Sequence, residues 1–183
     1  AAVKIKKKYD IPVVSTFHGP PSPKHINDVE HVDAVTTYNK EIKLFFEKFG
    51  IKNAYYVSSG VDLSHFRRLD RGKCRGKIGL DNKSKIILFV GRLIPIKNLY
   101  NLLYAFKKML PIIDGVKLLI VGDGTLKRDL MRTTRRLGLD ESVIFTGAVF
   151  YKDLPMYYNA ADVFVLPSNY ESFGFVCLEA AAC

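Results

Sequence analysis

The chain has few cysteines, and none is placed for a scaffold. Cys74, Cys177 and Cys183 make an odd number, with no CxxC and no Cys/His zinc spacing among them. They read as reduced thiols of a cytosolic protein rather than as a disulfide framework. No apolar run approaches the roughly eighteen residues of a membrane helix, and no secretory h-region stands at the start of the sequence. No internal repeat or low-complexity segment is present. No Ser-His-Asp or Cys-His set is supported by the spacing, and Asp-x-Asp occurs nowhere. These absences give no support to a disulfide-stapled domain, a structural zinc module or a nucleophilic hydrolase, and they suit a soluble or surface-bound protein.

What is present is an ordinary globular composition with an uneven charge. Of 183 residues, 48% are hydrophobic, enough for a sizeable core, and the formal net charge is +10. Residues 67–85 hold eight Lys/Arg against two Asp, and a smaller cluster of Lys4, Lys6, Lys7 and Lys8 lies near the start. This balance suits phosphates, acidic lipid head groups or nucleic acid, and equally a solvated linker and tail. Stacking aromatics are missing between residues 67 and 85, which argues against single-stranded nucleic acid as the partner.

Apolar β-branched runs alternate with helical patterns, the signature of parallel α/β sheets. A helix end is expected over 2–9 and a buried strand over 11–16, leading to His18 in a loop. A helix over 24–30 and a strand over 33–37 follow. Next come a helix capped by Asn39 or Thr37 and ended at Gly50, then a strand over 54–57. Residues 67–84 lose the apolar pattern and read as a basic linker. Beyond it, strands are expected over 85–90, 116–121, 143–146 and 163–166. The helices between them are expected over 99–110 (capped by Asn98), 126–137 and 154–160, and another follows Gly174. The expected division is 1–66, a linker over 67–84, and 85–183. The chain reads as a fragment that opens inside one helix and stops inside another.

The stretch 169–182 carries the chemistry that organises the chain. A helix starting near Phe173 or Gly174 presents unpartnered first-turn N–H groups and a positive dipole end to an anion. Glu171 precedes that start and Glu179 lies inside the helix. Fully helical spacing puts them about 12 Å apart, close to the span of a sugar diphosphate plus ribose. A solvated Glu and a polar helix face account for the same residues. Arg92 and Lys97 share one strand-to-helix loop and suit phosphate, as a bidentate fork and a point charge. Two exposed cations of a basic protein account for them equally. His18 sits at the carboxyl end of a strand, where parallel sheets gather ligands, although a lone loop His is commonly structural. Gly122-Asp123-Gly124 is half a dinucleotide fingerprint, with Lys127 where the third glycine belongs, so it argues against a nicotinamide or flavin site. Residues 72–78 imitate a P-loop but are one residue short and end in Ile78. A diphosphate held here would be neutralised by Arg92, Lys97 and the helix start rather than by carboxylate-bound magnesium.

From residue 85 onward the sequence resembles the C-terminal domain of retaining glycosyltransferases of family 4, which have the GT-B fold. The matching residues are Val90-Gly91-Arg92-Leu93 with Lys97, Val121-Gly122-Asp123-Gly124, and Phe145-Thr146-Gly147. They continue with Ala160-Ala161-Asp162-Val163, Pro167-Ser168, and Glu171-Ser172-Phe173-Gly174 through Glu179. The earlier part resembles the end of the N-terminal domain, through Thr16-Phe17-His18-Gly19, Val32-Asp33-Ala34-Val35 and Gly60-Val61-Asp62 before Phe66. Ser58-Ser59 depart from the family's usual Pro-Asn. The resemblance implies transfer of a sugar from a UDP- or GDP-sugar to an acceptor hydroxyl with retention, without a metal or other cofactor. It implies that Arg92 and Lys97 bind the diphosphate and that Glu171 and His18 face the donor sugar. It further implies that Ser172, Phe173, Gly174 and Phe175 meet sugar and phosphate, that Val149 and Leu154 contact the base, and that Glu179 holds the ribose. The implied partners are the nucleotide-sugar and a sugar or lipid-linked acceptor, not nucleic acid. The reduced cysteines suit a cytoplasmic location, and the positive charge suits peripheral contact at an anionic inner membrane face. A non-catalytic nucleotide-binding module and a nucleotide-sugar epimerase of the same fold are the alternatives.

Overall fold

The computed structural model describes residues 6, 8–19 and 21–183. Of the helix expected over 2–9, residues 6, 8 and 9 are helical and the rest lies outside the described residues, as do Lys4 and Lys7 of the basic cluster. The chain forms two compact units, Ala1–Gly60 with Glu171–Phe173, and Val61–Tyr170 with Gly174–Cys183.

The first unit is a parallel sheet of β1 (Val14–Phe17), β2 (Ala34–Thr37) and β3 (Ala54–Tyr56) in the order β1-β2-β3, with helices α1 (Lys24–Val29) and α2 (Lys40–Lys48). Asn39 is extended and its side-chain oxygen accepts from the Glu41 N–H at 2.7 Å, which starts α2. Ile42 and Phe46, one turn apart, bury the inner stripe of that helix against Val29, Val35 and Ala54. The Phe46 ring meets Phe17 edge-on at 4.7 Å. β1 begins later than expected and alternates exposed with half-buried residues. Among the described residues it pairs with β2 alone, and its Val14 and Thr16 face is exposed, so its apolar run is not buried on both faces.

The second unit is a parallel sheet in the order β6-β5-β4-β7, built from β4 (Lys85–Val90), β5 (Val116–Val121), β6 (Val143–Gly147) and β7 (Val163–Phe164). Helices α3 (Arg71–Lys77), α4 (Leu99–Met109), α5 (Lys127–Arg136), α6 (Leu154–Ala160) and α7 (Phe175–Ala182) accompany it. The two central strands show why they read as unbroken apolar runs. Ile86, Leu88, Val90, Leu119 and Val121 enter one core with Phe66 and Tyr158, while Phe89, Leu118 and Ile120 enter another with Leu99, Leu103, Phe106 and Leu130. Alternate residues face opposite ways, and both faces are covered. Burying each such side chain contributes roughly 1.5–3 kcal/mol. β7 is shorter than expected and Val163 is 53% exposed; among the described residues this strand pairs only with β4.

The stretch expected to be a linker is folded. Asp70 caps α3 by accepting from the Lys73 N–H at 2.7 Å, and the helix buries Cys74 and Arg75. Its apolar pattern is weak because a guanidinium, not a hydrophobic stripe, makes much of its attachment. Arg75 is 3% exposed and donates to the carbonyls of Ala160 (2.8 Å) and Asn82 (3.0 Å) and to the Asp162 carboxylate (2.7 Å). The same carboxylate accepts from Arg71 at 2.6 Å and from the Ile86 N–H at 2.7 Å. Asn159 adds a second tie, accepting from the Leu69 N–H and donating to the Arg67 carbonyl.

Gly122 and Gly124 have a backbone role. The Leu93 N–H donates to the Asp123 carbonyl and the Leu126 N–H to the Leu93 carbonyl, both at 2.9 Å. The loop after β4 thus lies directly on the loop after β5. Gly122 has φ +137°, and a Cβ there would sit 1.9 Å from the Gly91 carbonyl oxygen; a Cβ on Gly124 would sit 2.5 Å from that of Leu93. Only glycine lets the two backbones approach so closely. Lys127, in the place of a third fingerprint glycine, pairs with Asp123 at 2.6 Å. The side-chain cap expected from Asn98 at the start of α4 is not made. Asn98 supplies instead a left-handed turn (φ 56°), which Asn tolerates better than most residues.

Arg75→Ala removes one partner of a largely buried ion pair and is expected to lower stability by about 3 kcal/mol; a loss below about 1 kcal/mol in urea denaturation contradicts this attachment of α3. Gly122→Ala is expected to cost about 3 kcal/mol or more, from strain and the clash with Gly91, and calorimetric melting measures it.

Candidate functional site

In a parallel sheet all strands deliver their following loops to one edge, and ligands gather there. β4 and β7 are hydrogen-bonded neighbours in the register Ile87 to Val163 and Leu88 to Phe164. The loop after β4 and the segment after β7 therefore leave side by side. The Asn169 N–H donates to the Ile96 carbonyl at 2.9 Å and joins them. The first carries Arg92 and Lys97. Leu93 is fully buried and wedges the loop into the core, while Arg92 beside it is exposed. Pro95–Lys97 forms a single 3-10 turn, in which Lys97 is half-buried.

The segment after β7 leads to α7. The helix starts at Phe175 rather than at Phe173 or Gly174, with Gly174 in the left-handed region (φ 80°) as its cap. Because Glu171–Phe173 is not helical and groups with the first unit, the fully helical separation of Glu171 and Glu179 does not apply. Within α7, Val176 and Ala180 turn onto the core around Tyr158. Glu179 stands beside that inner stripe, and its Oε2 accepts from the Tyr158 hydroxyl at 2.6 Å. Burial, reinforced by this carboxylate, pushes the Tyr158 phenol far above its ordinary pKa, so it stays a protonated donor. Val149 and Leu154, after β6 and at the start of α6, pack half-buried against the same core as Val176 and Ala180.

The residues singled out in the sequence thus divide. Arg92, Lys97, Val149, Leu154, Gly174, Phe175 and Glu179 belong to the second unit. His18, Glu171, Ser172 and Phe173 belong to the first. His18 directly follows β1, is exposed, and has its ring 5.2 Å from that of Tyr38. The Ser172 hydroxyl donates to the His18 carbonyl within the first unit. Two aromatic residues near Glu179 escape sequence reasoning. Tyr158 touches Glu179 across 21 residues, and Tyr151 stacks on His65 at 4.8 Å and 18°. The available signal for Tyr158 was a tyrosine on the inner face of a helix, since a buried phenol needs a partner for its O–H. Among the described residues no group of three or more His, Cys, Asp or Glu is arranged to hold a metal ion, and no helix is long and apolar enough to cross a membrane.

Comparison with known proteins agrees with this architecture. Residues 70–183 match the family model of glycosyl transferases group 1. The D-inositol 3-phosphate glycosyltransferase of Segniliparus rotundus is 39% identical over 131 residues, covering 69% of this chain and 29% of that protein. The alpha-monoglucosyldiacylglycerol synthase of Streptococcus pneumoniae is 28% identical over 202 residues, covering 97% of this chain and 46% of that protein. Among solved structures, Anabaena HepE in complex with UDP and glucose superposes with a TM-score of 0.84 at 23% identity, over 99% of this chain and 53% of that one. This likeness shows the fold, a GT-B architecture of parallel sheets flanked by helices. The chain spans less than half the length of both curated relatives. By its match over residues 70–183, this chain belongs to the glycosyl transferases of group 1.

Proposed function

We propose that the protein is a retaining, metal-independent glycosyltransferase that moves a sugar from a UDP- or GDP-sugar to an acceptor hydroxyl, and that the second unit binds the nucleotide. The observation that carries this reading is the shared edge of β4 and β7, where the Arg92–Lys97 loop and the segment leading to α7 are joined through Ile96 and Asn169. Two cations and a helix amino end on adjacent loops form a field for a diphosphate. HepE, of the same fold, was solved with UDP, which makes a UDP-sugar the first donor to test.

In this reading Arg92 and Lys97 hold the diphosphate, with the start of α7 at Gly174 and Phe175. Glu179 takes ribose hydroxyls, and Val149 and Leu154 border the base. The family resemblance assigns His18, Glu171, Ser172 and Phe173 to the donor sugar. The anomeric carbon–oxygen bond to phosphate breaks, and its electron pair leaves with the diphosphate. The acceptor oxygen attacks on the same face and passes its proton to the departing phosphate. Positive charge grows on the sugar ring and negative charge on the leaving group, and the cations stabilise the latter in place. The relative named alpha-monoglucosyldiacylglycerol synthase and the net charge of +10 support a lipid-linked acceptor and peripheral contact with an anionic cytoplasmic membrane face.

Calorimetric titration with UDP, GDP and ADP tests the nucleotide site. One nucleotide is expected to bind and to be lost in an Arg92→Ala/Lys97→Ala variant; binding that survives both changes contradicts the assignment. In the complete enzyme, Arg92→Ala is expected to lower kcat about 10²–10³-fold. Chelation by EDTA is expected to leave turnover unchanged, and a rate that collapses and returns with magnesium would overturn the metal-independent mechanism.

A further inference from the structure

The contact between Tyr158 and Glu179 lies outside the roles assigned so far. Tyr158 is 5% exposed and sits on α6, one turn after Leu154. Its ring is held edge-on by Phe66 at 5.9 Å and by Phe164 at 5.8 Å. The hydroxyl is therefore positioned by the core rather than by solvent. It reaches across to α7 and meets one carboxylate oxygen of Glu179, Oε2, at 2.6 Å, a length typical of a charge-assisted O–H···O⁻ bond. A glutamate has three side-chain torsions to order, at a substantial entropy cost. A fixed donor on one oxygen removes much of that freedom before any ligand arrives.

We propose that Tyr158 is a positioning residue for nucleotide recognition: its hydroxyl anchors Oε2 of Glu179 so that the other oxygen, Oε1, is presented to the ribose hydroxyls. The proposal rests on the reading that Glu179 holds ribose. It also ties two elements of that reading together. Leu154, beside the base, and Tyr158 lie on the same face of α6, so the helix that borders the base also sets the carboxylate that takes the sugar. A phenol that only filled the core would need a partner for its O–H, but nothing would require that partner to be the residue facing ribose.

The test compares UDP with 2′,3′-dideoxy-UDP, which lacks both ribose hydroxyls, by calorimetric titration. Four proteins are needed: the unaltered protein, Tyr158→Phe, Glu179→Ala, and the double variant. The unaltered protein is expected to prefer UDP. Tyr158→Phe, which keeps the ring, should weaken UDP about 10-fold and leave 2′,3′-dideoxy-UDP unchanged, with little shift in the melting temperature. On the Glu179→Ala background the same change should do nothing more. If Glu179→Ala abolishes the preference for UDP but Tyr158→Phe leaves it intact, the positioning role is wrong and the ribose role stands. The positioning role is equally wrong if Tyr158→Phe weakens both nucleotides alike, acts undiminished on the Glu179→Ala background, or prevents folding, since each marks a structural hydroxyl. If Glu179→Ala leaves the preference intact, the ribose reading fails and the proposal with it.

Discussion

The second unit depends on how Asp162 grips the start of β4. Its N–H donates to the Ile86 carbonyl at 2.9 Å, and its carboxylate accepts from the Ile86 N–H at 2.7 Å. One residue thus satisfies both backbone groups of another, which leaves β7 a single register against β4. The same carboxylate takes Arg75 from the buried side and Arg71 from the exposed side. A buried guanidinium without this partner would be strongly destabilising, so α3, β4 and β7 are held as a set. β7 needs such help, because two residues of ladder on an edge make few hydrogen bonds of their own.

From that register the placement of the site follows. With β7 fixed beside β4, their outgoing segments share an edge and are joined through Ile96 and Asn169. The interlock of Gly91 with Gly122 and of Leu93 with Gly124 then holds the Arg92 loop against the loop after β5. Arg92 itself remains exposed while its neighbour Leu93 is sealed in the core. A cation is presented rigidly in this way because the backbone beneath it is over-determined, while the side chain stays exposed to an incoming anion. Glu179 follows the opposite scheme, with its helix ordinary and its carboxylate held through one oxygen by a tyrosine from another helix.

Much of this was legible in the residues. The alternation of β-branched runs with helical patterns gave the parallel α/β class, and the helix over Leu154–Ala160 and the strand over Lys85–Val90 lie where the pattern put them. The linker did not. Helix α3 is attached by Arg75 and Asn159 contacts, and polar anchoring leaves no apolar period to read. The start of α7 falls one or two residues late because Gly174 takes a left-handed conformation, which is not written in its neighbours. Gly122 and Gly124 resembled part of a dinucleotide fingerprint by their spacing, whereas their structural task is to let two backbones touch.

The residues alone were enough for the fold class, the positions of the central strands and the loop that carries Arg92 and Lys97, because side-chain periodicity and backbone preference are local properties; that β1 is half-exposed while β4 and β5 are covered on both faces was not among them. Tertiary structure alone decided that β7 lies beside β4, that Asp162 closes on Arg75, and that Tyr158 meets Glu179. Those pairings join residues 21 to 87 positions apart, and no local pattern encodes the partner of a buried polar group. Only the folded packing brings each donor within hydrogen-bonding distance of its acceptor.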